Sequence, residues 1–174
     1  LAVKKRRKAK RPATERIPLQ IARAVNEVWS MDFVSDSLVN GRRLKCLTVA
    51  DDFSHECVDI ATDFGISGQY VTRLLDQAAL FRGYPKAVRT DNGPEFLGDA
   101  FTAWAKANGM AIQYIQPGKP NQNAYIERFN RTYRDEVLDC YVFETLDEVR
   151  RMTADWLVRY NHHRPHESLG NLSP

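Results

Sequence analysis

Apolar and polar positions alternate through residues 28–34, which puts Trp29, Met31 and Phe33 on one face and Asp32 on the other and predicts a strand. Asn40-Gly41 follows as a hairpin signal, and residues 44–50 and 57–64 form two further apolar runs separated by Asp51-Asp52-Phe53-Ser54-His55. Connections this short favour an antiparallel meander of three strands. After Ser67 as an N-cap the period changes, with Val71, Leu74, Leu75, Ala78 and Phe81 at helical spacing until Gly83 and Pro85 stop the pattern. A short strand at 87–90, a helix marked by Phe101, Trp104 and Ala105 and ended by Asn108-Gly109, and a fifth strand at 110–115 come next. Pro117-Gly118-Lys119-Pro120 breaks the chain before a long helical pattern at 122–138, with Ile126, Phe129, Tyr133 and Val137 on its core face. Thr145-Leu146-Asp147-Glu148 is a capping box that opens a last helix reaching about Tyr160. The order predicts an α/β layered fold with helices on the faces of a mixed sheet.

Length and charge refine this picture. A chain of 174 residues with 43% hydrophobic positions suits one core, and no apolar stretch approaches the roughly 20 residues of a membrane span. The net charge of +3 is unevenly spread, because residues 1–16 hold eight cations against Glu15, for +7, and the remainder carries −4. Lys4, Lys5, Arg6, Arg7, Lys8, Lys10 and Arg11 are too dense for a packed fold and attract phosphate, so residues 1–24 read as a basic tail or linker that follows nucleic acid and 25–174 as the folded body. Cys46, Cys57 and Cys140 show no Cys-x-x-Cys spacing, which points to buried free thiols in a reducing cytoplasm.

Three acids fall where such a sheet would gather them: Asp32 in the first strand, Asp91 at the end of the fourth, and Glu127 one turn into the long helix. Taken singly, Asp32 reads as an edge-strand charge, Asp91 as a turn residue beside Asn92-Gly93, and Glu127 as a helical partner of Arg131. Together they read as a site, since an Asp in an apolar strand is costly unless compensated. Converging carboxylates resist joint ionisation and a divalent cation removes that penalty; oxygen-only ligands select Mg²⁺, with Mn²⁺ as a substitute. Two ions about 3.5–4 Å apart suit in-line phosphodiester displacement. Asn123, Asn130, Arg131 and Arg134 share a helix face with Glu127, Arg128 is adjacent, and Lys119 and Gln122 lie in the preceding loop, a set suited to DNA phosphates. Glu95, Asp51 and Asp52 are rival acids with simpler roles as caps and loop charges. His162, His163 and His166 lack any cysteine after Cys140 to complete a zinc set.

The stretches Trp29-Ser30-Met31-Asp32-Phe33-Val34, Thr48-Val49-Ala50-Asp51-Asp52-Phe53-Ser54, Asp91-Asn92-Gly93-Pro94-Glu95-Phe96, Pro117-Gly118-Lys119-Pro120-Asn121-Gln122-Asn123-Ala124-Tyr125-Ile126-Glu127-Arg128-Phe129-Asn130 and Tyr160-Asn161-His162-His163-Arg164-Pro165-His166-Glu167-Ser168-Leu169-Gly170 together resemble the catalytic core of DDE-type insertion-sequence transposases, the bacterial group similar to retroviral integrase. The 35 residues between Asp91 and Glu127, and Arg134 seven positions after Glu127, match that group. The resemblance implies a ribonuclease-H-like fold with a five-stranded mixed sheet, and Asp32, Asp91 and Glu127 as ligands of two Mg²⁺ ions. It also implies contacts from Arg134 and Lys119 to transposon-end DNA. His55 stands where the group carries Arg. In the wider family an upstream helical region recognises terminal inverted repeats, so the tail is expected to lead from such a region. The implied activity is metal-dependent strand cleavage and 3′-hydroxyl transfer at element ends into target DNA, by a homo-oligomer in the bacterial cytoplasm, nucleoid-associated when bound. A nuclease without strand transfer and a catalytically idle DNA-binding module are the alternatives.

Overall fold

The computed structural model describes residues 21–116, 120–166 and 169–174, so Lys4, Lys5, Arg6, Arg7, Lys8 and Lys119 lie outside the described residues. The predicted meander is β1 Val28–Ser37, β2 Arg43–Asp51 and β3 Cys57–Asp63, followed by helix α1 Gly68–Arg82, β4 Ala87–Thr90, α2 Pro94–Leu97, α3 Asp99–Ala107, β5 Ala111–Tyr114, α4 Ala124–Tyr133 and α5 Leu146–His163. The sheet order is β3-β2-β1-β4-β5, with β1 antiparallel to β2 and parallel to β4. The Asn40-Gly41 turn is closed by Gly41 N–H donating to the Leu38 carbonyl, with Gly41 at φ 81°, where a side chain would strain the backbone.

Alternation along β1 divides the core in two. Trp29 and Met31 join Leu47, Val49, Val88, Phe96 and Phe101 beneath α1 and α3, while Val34, Cys46, Ala50 and Ile60 meet Ile126, Phe129, Tyr133, Trp156 and Tyr160 of α4 and α5. The local signals hold where expected. Ser67 Oγ accepts from Tyr70 N–H, and both halves of the Thr145–Glu148 capping box are formed.

Four expectations are corrected. Phe81 is 94% exposed, because at about 100° per residue it falls about 120° from the centre of the stripe made by Val71, Leu75 and Ala79. The helix predicted at 122–138 is divided into a 3₁₀ turn Pro120–Asn123, α4, and a π turn Arg134–Leu138. Glu95 lies not in an open turn but in the one-turn helix α2, with Pro94 at its first position. Cys46 and Cys57 are buried, their thiols pushed up by burial, but Cys140 is exposed just beyond the π turn.

Candidate active site

Asp32 sits in the middle of the central strand on the α4 side of the sheet. Its Oδ2 accepts from Asn130 Nδ2 at 2.9 Å and its Oδ1 from Phe33 N–H at 2.8 Å. Asn130 is oriented in turn by the buried Thr48, whose hydroxyl donates to Asn130 Oδ1 at 2.7 Å. A carboxylate at this depth is therefore fixed from β1, β2 and α4 at once. Asn130, expected at the DNA surface, is buried and acts here as the residue that aims Asp32.

The parallel register Val28↔Ala87, Trp29↔Val88, Ser30↔Arg89, carried two residues further, sets Asp91 level with Asp32 just past the end of β4. Asp91 is exposed and its Oδ1 accepts from Gly93 N–H at 2.9 Å, while Asn92 Nδ2 ties the same loop to the Ile115 carbonyl at 2.8 Å. Glu127 is exposed in the first turn of α4. An open cleft of about 510 Å³ is lined by Asp32, Phe33, Val34, Ser35, Glu127, Asn130, Arg131 and Arg134.

Burial first, and then the charges of Asp91 and Glu127 working against two hydrogen bonds, push the Asp32 carboxyl up to about 6. Among the described residues no group of three acids, histidines or cysteines closes to metal-holding distance. The donor set nonetheless fits a hard divalent cation: it is all oxygen, and a positive charge would relieve the strain that raises Asp32. The sign follows for the metal-free chain. A folded carboxyl near 6, against an ordinary value of 3.8, is protonated more readily folded than unfolded, so its contribution to stability is present below about pH 4 and lost as pH rises through 6. Such a shift is worth at most about 3 kcal/mol; screening reduces that to about 2, and losing the Phe33 hydrogen bond removes about 1. Asp32→Asn is therefore expected to stabilise the chain in EDTA by about 1 kcal/mol at neutral pH, a gain that vanishes towards pH 4 in thermal melts.

The cations expected around the site divide in use. Arg131 is exposed on the cleft wall. Arg134 reaches back to the Ser35 carbonyl at 2.6 Å and to Asp139 at 3.1 Å, pinning the π turn to β1 at the cleft's rim. Arg128 is exposed beside His55, whose imidazole is lowered by burial and by that charge. Gln122 Oε1 accepts from Gln116 N–H at 2.8 Å, which ties the start of the segment leading into α4 to the end of β5. Asn123, expected as a DNA contact, is buried, and its Oδ1 has no hydrogen-bond partner among the described residues.

The rival acids have other partners. Asp51 accepts from the backbone N–H groups of Asn26, Phe53 and Ser54, Asp52 is paired with the equally buried Arg89, and Glu95 is paired with Lys45. His162 and His163 are exposed at the end of α5, whereas His166 packs edge-on against Tyr160. Residue-by-residue reading missed Thr48 as part of the site, although a lone hydroxyl inside an apolar strand is a signal; the pairing of Lys45 with Glu95 had none.

The pattern of the family described as integrase core domain matches residues 22–120 and again 108–174. The chain belongs to that family. It is 59% identical over its whole length to the 39.2 kDa protein of insertion element IS476 from Xanthomonas euvesicatoria, of which it covers 50%, and 58% identical to the 31.7 kDa protein of IS407 from Burkholderia multivorans, of which it covers 63%. The transposase for insertion sequence element IS629 of Shigella sonnei is 26% identical over 155 residues, 88% of this chain and 52% of that protein. The chain thus spans between half and two thirds of the length of these relatives. The catalytic core domain of HTLV-2 integrase, solved in complex with magnesium, superposes with a TM-score of 0.66 at 20% identity, covering 84% of this chain and 93% of that one. The ribonuclease-H-like layered fold is accordingly that of the integrase catalytic core.

Proposed function

We propose that this chain is the catalytic core of an insertion-element transposase, which cuts DNA at the element's terminal inverted repeats and joins the freed 3′-hydroxyl to target DNA. The observation that carries the reading is Asp32 from mid-strand and Glu127 from a helix start on one cleft edged by Arg131 and Arg134, with Asp91 level with Asp32 in the strand register and its charge acting on the Asp32 carboxyl. Within the proposal Asp32, Asp91 and Glu127 hold two Mg²⁺ ions. When bound, the ions activate the attacking oxygen and stabilise the leaving one.

The chain's own groups bind and aim. Asn130 and Thr48 fix the Asp32 carboxylate before any ligand arrives, so little reorganisation is needed at the moment of reaction. Arg131 offers a charge-assisted contact to a backbone phosphate along the cleft wall, with Arg128, Arg134, Lys119 and Gln122 proposed alongside it and Lys4, Lys5, Arg6, Arg7 and Lys8 following DNA outside the core, whereas the buried Asn123 is out of reach of a phosphate. No helix among the described residues is long and apolar enough to cross a membrane. Acting on paired ends requires more than one copy, so light scattering of the DNA complex is expected to give a multimer.

The test is incubation of the chain with labelled duplex bearing the element's terminal repeat, with Mg²⁺ or with EDTA. Products longer than the substrate, present only with the metal, are expected. Nicked products without joined ones would replace strand transfer by hydrolysis, and no metal-dependent product at all would overturn the proposal.

A further inference from the structure

Glu95 follows Asp91 by four residues, yet it faces a cation rather than the triad. Lys45 Nζ on β2 lies 2.8 Å from Glu95 Oε1, with the Glu95 side chain only 14% exposed. The same ammonium sits 5.2 Å above the Phe33 ring, and Phe33 stacks on the fully buried Phe96 with centroids 5.3 Å apart. Lys45 therefore holds both the residue after Asp32 and the helix after Asp91.

That helix is anchored at its far end by the buried Phe96 and by the Tyr114 hydroxyl donating to the Phe96 carbonyl at 2.8 Å, while Lys45 ties its near end to β2. α2 is a single turn with no side-chain cap, and one turn is too short to be stable alone. Asp91 before the helix and Glu95 within it flank one glycine: a Cβ on Gly93 would lie 3.0 Å from Asp91 Oδ1 and 3.3 Å from Glu95 Oε2. A cation that pairs with Glu95 lowers the negative charge carried by this short segment. On the other side, a Cβ on Gly68 would fall 2.7 Å from the Glu95 carbonyl, so the start of α1 abuts the backbone of α2 and leaves it no room to shift that way.

We propose that Lys45 is a positioning residue for Asp91: by neutralising Glu95 and drawing it to β2 over Phe33, it holds the β4–α2 segment where Asp91 stands level with Asp32 and keeps the Glu95 carboxylate away from the triad. The inference rests on the reading of Asp91 as a metal-binding acid. Lys45→Met keeps the aliphatic stem over Phe33 and removes only the charge, and Lys45→Arg restores it.

Two measurements on the whole chain test it. In the metal-free protein, amide hydrogen exchange of Phe96 and Leu97 is expected to quicken about threefold to tenfold in Lys45→Met, with the β1 amides unchanged and Lys45→Arg close to the parent. In calorimetric titration with Mn²⁺, the affinity of Lys45→Met is expected to weaken by a similar factor, with Asp91→Asn as the control. Exchange at α2 that does not respond to Lys45→Met overturns the proposal. So does Mn²⁺ affinity that falls in Asp91→Asn but not in Lys45→Met. If instead Asp91→Asn leaves Mn²⁺ binding intact, the reading of the triad has failed, and the exchange data still decide whether Lys45 tethers the segment.

Discussion

Glu127→Gln is expected to lower metal-dependent cleavage and joining at least about a thousandfold while leaving the fold and the affinity for end DNA in place. The side chain is exposed in the first turn of α4, so nothing packs on it and an isosteric amide leaves no cavity. What the substitution removes is one negative charge among three that act on each other, Glu127 being one of the two acids whose charge raises Asp32. Metal-assisted phosphodiester chemistry draws several kcal/mol of barrier lowering from charge held by such ligands, and about 4 kcal/mol corresponds to a thousandfold. On the proposed reading DNA affinity rests on Arg131 and its neighbours, and removing an anion from their cleft is not expected to weaken it. Gel assays of labelled ends, a filter-binding curve and a thermal melt separate these effects. Activity within tenfold of the parent at unchanged stability would remove Glu127 from the site.

Residues whose role depends on near neighbours in sequence were legible there. The β1 alternation placed Asp32, the cap at Ser67 and the box at Thr145 were signalled by side chains three residues apart, and Asp91 was marked by the turn it opens. What escaped sequence reading depends on partners far along the chain. Asn130 meets Asp32 across 98 residues and Lys45 meets Glu95 across 50, so an Asn that looked like a surface contact aims the Asp32 carboxylate and a Lys with no local signal pairs with the acid of α2. The break of the long helix at Arg134 also has no local marker, since no Pro or Gly interrupts 122–138. It coincides with Arg134 bonding the Ser35 carbonyl of β1, a tertiary tie that overrides helical propensity.

Asn161 shows the same dependence at its largest energetic scale. The sequence places it in a polar stretch, Asn161-His162-His163-Arg164, beside residues suited to phosphate, whereas the structure buries it in the core. Between Val49 and Ala50 the β2–β3 register slips by a residue, and the Cys57 backbone beside this bulge bonds to the Asn161 side chain. Asn161 Oδ1 accepts from Cys57 N–H and Asn161 Nδ2 donates to the Cys57 carbonyl, each at 2.9 Å, so one amide stands in for a strand and fastens α5 to the sheet edge. Asn161→Ala orphans two buried backbone groups at about 1–3 kcal/mol each, and a total loss of about 2–4 kcal/mol is expected. For a chain of this size that lowers the melting temperature by about 5–15 °C. Asn161→Asp keeps the shape and one acceptor but sets a carboxylate oxygen against the Cys57 carbonyl. It should therefore be at least as destabilising at neutral pH and recover as pH falls, because only the protonated acid can donate there. His162→Ala, one residue on and exposed, should stay within about 0.5 kcal/mol of the parent. Denaturant melts of the three variants check the order; a loss below about 1 kcal/mol for Asn161→Ala would mean that water replaces the amide at the bulge and that the other ties of α5, Val149, Trp156 and Tyr160 in the core and Arg150 on the Thr62 carbonyl and Asp63, suffice to hold it.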